Sequence, residues 1–435
     1  MVSAAPVSSA APLVLAGRPL EPDDFAALRR RMIFDHCKWD PQVEDVSVLA
    51  PFPLVIEETT WRELATLAES LAAETLAAEE ELVLRHDLLP ELALPRVFLR
   101  EVRRLRSPPT ESPRVMRFDF HPTRDGWRIS EVNSDVPGGF IESSAFPDLI
   151  ADHLGCALRI TGDPATALCD VVARSVPPGG TVGLVHATAY TDDRQVMVFL
   201  SRALQARGLR TCLISPDQLG WRDGRAAIHC GFHEGDAGAL IRFFPAEWLP
   251  NLPARCQWPM LLTGGCTTLV NPATALLTQT KRFPLVWDRM HTPLPCWRRL
   301  LPETRDPRDT DWRRDDGWVV KPALGRVGDA IGLAGVTPQR EWRVIRRGVR
   351  WFPRHWVAQK RFAAVPVDGP DGAIFPCFGV YTVGGRAAGV YGRIASTPLI
   401  NHLARDVAVL VRPDTHRAAS TPRAGAPEAQ VSVGR

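Results

Sequence analysis

Apolar residues recur at helical spacing from Thr60 to Arg85. Leu64, Leu67, Leu71 and Leu82 form one stripe between glutamates, which predicts a long scaffold helix. Thr60 and Glu63 have the spacing of a capping box at its start. The period falls to two at Val115, where Met116, Phe118 and Phe120 alternate with Arg117 and Asp119. That alternation predicts a strand. The turn reads Arg124-Asp125-Gly126, and a three-residue loop wants its left-handed residue last, where only Gly126 is unstrained. Such a loop sets Thr123 opposite Trp127, Asp119 opposite Glu131 and Arg117 opposite Asn133. The hairpin thus carries two acids, an amide and an arginine on one face.

Other elements follow from the same patterning. Short helices are expected over 21–31 and 143–154, the second after the loop Pro137-Gly138-Gly139. A buried strand at 180–186, a helix at 196–207 and a strand at 210–214 make a βαβ unit. No GxGxxG follows its first strand, so it is not read as a dinucleotide site. Asp192-Asp193 reads as the cap of that helix. A helix over 273–290 carries Lys281. An apolar strand at 317–321 ends on Lys321 and runs into a loop with Gly325, Gly328 and Gly332. The strand 355–360 ends on Gln359-Lys360. A last hairpin, 378–393, turns at Gly384-Gly385 and ends on Arg393.

Length and composition add limits. The chain has 435 residues, which calls for two or three lobes. With 23% charged residues and a net charge of +3, composition makes no case for nucleic acid or an acidic partner. The nine scattered cysteines form no CxxC pair, which suits a reduced cytoplasmic protein and argues against zinc. No apolar run spans a membrane, and the first residues lack a basic segment of the kind that opens a signal peptide. Residues 1–20 and those after 413 are rich in Ala, Ser and Pro and are expected to be loose; we take 1–34 as a loose N-terminal segment and 413–435 as a disordered tail.

Two stretches carry chemistry. Asp119, Glu131 and the Asn133 amide are hard oxygen donors of the kind Mg²⁺ takes together with substrate phosphates. Facing carboxylates repel unless a cation lies between them; a surface hairpin with solvated charges is the plain alternative. Arg117 suits an anionic substrate, phosphate or carboxylate. The glycine loop after Lys321 lets backbone N–H groups approach phosphate oxygens. It lacks the GxxxxGK[ST] order and is not a Walker A loop. Glu142 reads equally as a site acid or as an acid at a helix N-terminus. Glu247 reads as a ligand-facing or a buried, paired acid.

Arg117-x-Asp119, Asp125-Gly126 and Glu131-x-Asn133-x-Asp135-x-Pro137, followed by Glu142, resemble the start of the circularly permuted ATP-grasp domain of glutathionylspermidine synthases. Lys38-Trp39-Asp40-Pro41 and Phe52-Pro53-Leu54 resemble that family's lead-in, and Phe244-Pro245-Ala246-Glu247-Trp248 its aromatic-Pro-x-Glu-Trp segment. With the βαβ unit, Lys281, Lys321-Pro322 and its glycine loop, Gln359 and Gly389-x-x-x-Arg393, the similarity covers most of residues 35–412.

The resemblance implies an α/β, ATP-grasp fold, circularly permuted. The N-terminal helices and metal hairpin would occupy 35–170, an inserted pre-ATP-grasp-like βαβ domain 171–270, and the nucleotide-binding lobe 271–412. It implies ATP and Mg²⁺, with small-molecule acid and amine substrates: glutathione and spermidine in the family. Asp119, Glu131 and Asn133 would hold the metal. Lys281, Lys321, Gly325, Gly328 and the backbone near Gln359 would hold ATP, and Arg117 and Arg393 would stabilise the transferred phosphoryl group. Val327 and Ile394 stand where the family usually has acids. The cysteine amidase domain of some members is not expected before residue 35. Another amide or peptide ligase, or an inactive nucleotide-binding homologue, are the alternative readings.

Overall fold

In the computed structural model the described residues are 14–39, 42–43, 46–109, 112–155, 157–231, 233–325, 328 and 330–414. Asp40, Pro41, Arg326, Val327 and the tail from 415 lie outside them. The chain is a mixed α/β protein whose largest sheet has six strands. Five follow the order β11–β10–β9–β1–β2: β1 is Val115–Thr123, β2 Gly126–Asn133, β9 Gly372–Val383, β10 Arg386–Ala395 and β11 Arg405–Val407. Val367–Gly369 pairs with β9 as the sixth.

Alternation along these strands sorts two faces. Phe118, Phe120, Phe378, Val380, Val390 and Ile394 point to a core shared with α1, Glu58–Leu84, through Trp61, Leu64, Leu67 and Leu71. The opposite face carries Arg117, Asp119, Gly379, Tyr391 and Arg393, and β1 is buried on both sides. Helix α1 begins at Glu58, not Thr60, and the side chain of its N-cap, Glu57, does not cap it. The capping box therefore does not form: Thr60 and Glu63 already lie inside the helix. The N-terminal stretch is also more ordered than its composition suggests. Val14–Ala16 pairs with Leu54–Glu57, and Pro22–Phe34 is a helix that buries Leu28 and Met32.

The hairpin register departs from expectation at the turn. Thr123 pairs with Gly126, leaving Arg124-Asp125 as the turn, and Gly126 has φ of 90°. A bulge between Phe118 and Phe120 then restores Arg117 opposite Asn133. The bulge lets Glu131 leave strict opposition to Asp119.

Helix α2, Phe140–Leu154, follows the glycine pair, and Gly139 at its start has φ of 95°. The βαβ unit forms as read: β3 is Thr181–Val185, α3 Thr191–Gln205 and β4 Arg210–Ile214. Its sheet runs β6–β5–β3–β4, all parallel, with β5 at Ala239–Arg242 and β6 at Thr268–Val270. Tyr190 is the N-cap of α3 and makes no side-chain cap; Asp192 and Asp193 lie in the first turn, where the helix dipole favours acids.

Lys281 is not on a helix. The helix ends at Gln279, Thr280 turns out with ψ of 132°, and a 3₁₀ segment resumes at Phe283–Arg289. Pro284 is the reason, since it has no N–H to continue a helix. The break is held by Lys281 N donating to Ala323 O and by Thr280 Oγ1 donating to Leu92 O. Further along the chain, β7 (Trp318–Pro322) and β8 (Trp356–Lys360) pair antiparallel in a separate four-stranded sheet. Helix α4, Gln339–Trp351, covers one face of that sheet through Ile345 and Val349. Lys321 and Gln359 line a cavity beside it.

Candidate active site

Asp119 anchors the site. It is wholly buried and accepts from Arg117 Nε at 2.8 Å, Arg117 Nη2 at 3.2 Å and Arg393 Nη2 at 2.8 Å. Asn133 Nδ2 lies 3.4 Å away. Burial alone would raise this carboxyl's pKa; the two guanidinium groups outweigh it and hold it low. The arrangement follows from the strands. Arg117 and Asp119 are two apart on one face, and Gly379 pairs with Asp119. A Cβ at Gly379 would stand 2.7 Å from Arg117 Cδ. The missing side chain is thus the seat of the Arg117 guanidinium. Arg117 Nη1 donates to Gly138 O at 2.5 Å.

Arg393 lies near the far end of β10, as its hairpin predicts, with its side chain 12% exposed. Its Nε has no hydrogen-bond partner among the described residues. It lines two adjoining cavities.

The two lysines stand on either side of Glu131. Lys281 Nζ is 2.9 Å from Glu131 Oε2 and donates to Gly325 O at 2.8 Å. Lys321 Nζ donates to Gln359 Oε1 at 2.7 Å and to Ser130 O at 3.2 Å. Burial lowers the Lys321 pKa to about 8. Gln359 therefore meets the site through its side chain, which also donates to Thr304 Oγ1.

One cavity is lined by His121, Lys321, Gly328, Gln359, Phe362 and Ile400 among others. Gly328 has φ of 71°, and a Cβ there would stand 2.2 Å from Ile400 O. Gly328 and the segment Pro398–Ile400 meet in the lining of this cavity. The second cavity, of about 450 Å³, is a polar cleft. Arg117, Glu131, Asn133, Glu142, Asp192, Asp193, Glu247 and Lys281 all line it. Glu142 is held by Lys38, which also lies 3.3 Å from Asp406 Oδ2.

Among the described residues no three His, Cys, Asp or Glu side chains gather to hold a metal. Glu131 and Asn133 face the cleft, with Asp119 behind them. One cleft carboxylate and an amide oxygen fit an ion that draws its other ligands from phosphates and water. Asp119 has both oxygens committed to arginines and could reach an ion only by releasing one.

His121, Cys377, Tyr391, Lys38 and Asp406 were not singled out by sequence. His121, Cys377 and Tyr391 follow from strand alternation once Asp119 and Arg393 are fixed on one face. Lys38 and Asp406 reach the site from opposite ends of the chain; Lys38 lies in the lead-in segment without a role assigned to it, and no local pattern marks Asp406.

No helix among the described residues is long and apolar enough to cross a membrane. No curated protein matches the chain. The family model described as glutathionylspermidine synthase pre-ATP-grasp matches residues 53–412, which include every site residue above except Lys38. The chain belongs to the glutathionylspermidine synthase family, a family of ATP-dependent amide-bond ligases.

Proposed function

We propose that this chain is a carboxylate–amine ligase that uses ATP to make an acyl phosphate and then an amide. The observation that carries the reading is the buried Arg117–Asp119–Arg393 group. Two guanidinium groups share one carboxylate, so one positive charge is left over, and Arg393 Nε has no hydrogen-bond partner among the described residues. A largely desolvated surplus cation with an unfilled donor calls for an anion. Phosphoryl transfer to a carboxylate needs such positioning and charge neutralisation.

In this reading Lys281, Lys321 and the N–H groups near Gly325 and Gly328 hold the ATP phosphates, and the strand at Gln359 meets adenine. Arg117 and Arg393 neutralise the transferred group. Glu131 and Asn133, with Asp119, are the residues that would hold Mg²⁺, which supplies charge neutralisation at the phosphates. The Gly328–Ile400 contact keeps water from the acyl phosphate. Residues 35–170 would supply the metal hairpin, 171–270 one wall of the cleft and 271–412 the nucleotide site, in the order of a permuted ATP-grasp chain. Glu142 and Glu247 would face the substrates, and the work would be done in the cytoplasm.

Glutathione and spermidine are the pair that the family suggests. A different acid–amine pair is favoured by Ile394, which is buried in the core where the family usually carries an acid. The test is ADP release with Mg-ATP and a grid of amines crossed with carboxylates, glutathione and spermidine among them. Release that depends on one acid and one amine names the substrates. Asp119→Ala or Lys321→Ala should abolish it in a folded protein; normal turnover in either would overturn the assignment.

A further inference from the structure

Tyr391 lies in the same row of the sheet as Gly379 and Asp119. With only hydrogen at Gly379, nothing separates its ring from Arg117. The Arg117 guanidinium carbon stands 5.1 Å from the ring centroid and that of Arg393 stands 5.4 Å from it. On another side the ring meets backbone: a Cβ at Gly139 would lie 2.7 Å from its Cδ1. The hydroxyl donates to Asp406 Oδ1 at 2.7 Å, and Lys38 holds the other Asp406 oxygen.

We infer that Tyr391 is a positioning residue, whose ring holds the Arg117 and Arg393 guanidinium groups towards the transferred phosphoryl group and whose hydroxyl, tied to Asp406, fixes the ring. The inference rests on the ligase reading. The physical argument is charge. Two guanidinium groups side by side repel, and Asp119 cancels one charge only. A second carboxylate would cancel the other and leave no attraction for an anion. An aromatic face attracts both cations without adding a formal charge. It steadies the pair and keeps the surplus positive charge for the substrate. Burial raises the tyrosine pKa, so the hydroxyl stays a donor to Asp406. The ring lines the cleft beside both arginines.

The test uses the full chain in calorimetry, first with Mg-ADP and then with aluminium fluoride added as a mimic of the phosphoryl group in transfer. Tyr391→Leu should leave Mg-ADP affinity within about twofold and weaken fluoride binding by about tenfold or more. Tyr391→Phe keeps the ring and should lose only about threefold. Unchanged fluoride binding in Tyr391→Leu, or a parallel fall in Mg-ADP affinity, overturns the inference. If the unmodified chain binds Mg-ADP but no fluoride, the nucleotide site stands and the inference falls. If it binds no Mg-ADP, the ligase reading falls and takes the inference with it. Should Tyr391→Leu not fold, Tyr391→Phe and Asp406→Asn decide by a double-mutant cycle. One shared anchor predicts that the double variant loses no more than either single one; additive losses overturn it.

Discussion

Lys281 and Glu131 neutralise each other in the wall of the cleft, at 2.9 Å. In the proposed reaction they part, Lys281 to a phosphate and Glu131 to the metal. Glu131→Gln should therefore separate two effects. Turnover with Mg-ATP should fall at least about a hundredfold, in the range seen when a charge aimed at the transition state is lost. ATP without metal should bind at least as tightly as to the unmodified chain, because Lys281 is released from its ion pair. Calorimetry with and without Mg²⁺ checks this. Metal-free ATP binding that weakens with the mutation would mean that Glu131 does not compete for Lys281.

If Lys321 holds an ATP phosphate as proposed, ATP binding should depend on pH. Burial holds its pKa down at about 8, so in the free protein the amine is increasingly neutral above that pH. A bound phosphate favours the ammonium form and returns the pKa towards the ordinary lysine value near 10. Between roughly pH 8 and 10 the complex then holds more protons than the free protein. Binding should take up protons in that window and weaken as pH rises through it. Below about pH 7 this group should contribute no uptake. Calorimetry in two buffers of different ionisation enthalpy measures the uptake. The Lys321→Met chain should show none from this site.

The sequence showed the site's framework better than its wiring. Helix 58–84 and the alternation in Val115–Thr123 were legible because one period held over many residues with one face buried. Arg117 opposite Asn133 was reached, though through a register that ignored the bulge; a bulge leaves no compositional mark when the turn glycine is right for either loop. The break at Lys281 had a signal, Pro284, that the polar run around Gln279-Thr280 masked. That Asp119 is gripped by two arginines was not legible. It depends on Gly379 lying beside it, a pairing between strands far apart in the chain. The Lys38–Asp406–Tyr391 chain was hidden for the same reason.

Gly379 gives a sharp test of that grip. A Cβ there would lie 2.7 Å from Arg117 Cδ, 2.9 Å from Nε and 3.0 Å from Asp119 Oδ1. Gly379→Ala puts a methyl group where the guanidinium lies, and a strand tolerates alanine. Arg117 must shift against its bonds to Asp119 and Gly138, so the loss of stability should be about 1–3 kcal/mol. Turnover should fall by about tenfold or more, because misplacing a transition-state group costs more than the fold does. Thermal melting read beside turnover separates the two. An active Gly379→Ala chain would mean that the Arg117–Asp119 geometry does not matter to the reaction.

Arg282 tests whether Lys281 is placed from behind. Its side chain is 1% exposed. Nε donates to Glu91 O at 2.6 Å, Nη1 to Trp356 O at 3.1 Å and Nη2 to Asp306 Oδ2 at 2.9 Å. It thereby ties the break that carries Lys281 to the start of β8, the strand that carries Gln359. Arg282→Met leaves two carbonyls and a carboxylate short of a buried donor, and breaking such a pair costs roughly 3–5 kcal/mol. Asp306 keeps a second partner in Arg308, whose Nε stands 2.8 Å from Oδ1, so the lower end of that range is expected. If the protein still folds, the Michaelis constant for ATP should rise while the one for the amine holds, since Lys281 and β8 would both hold ATP in the proposed reaction. Equal rises for both substrates would assign Arg282 to the general fold. Arg282→Lys keeps the charge but cannot reach three acceptors at once, and it should fall between the two chains on both measures.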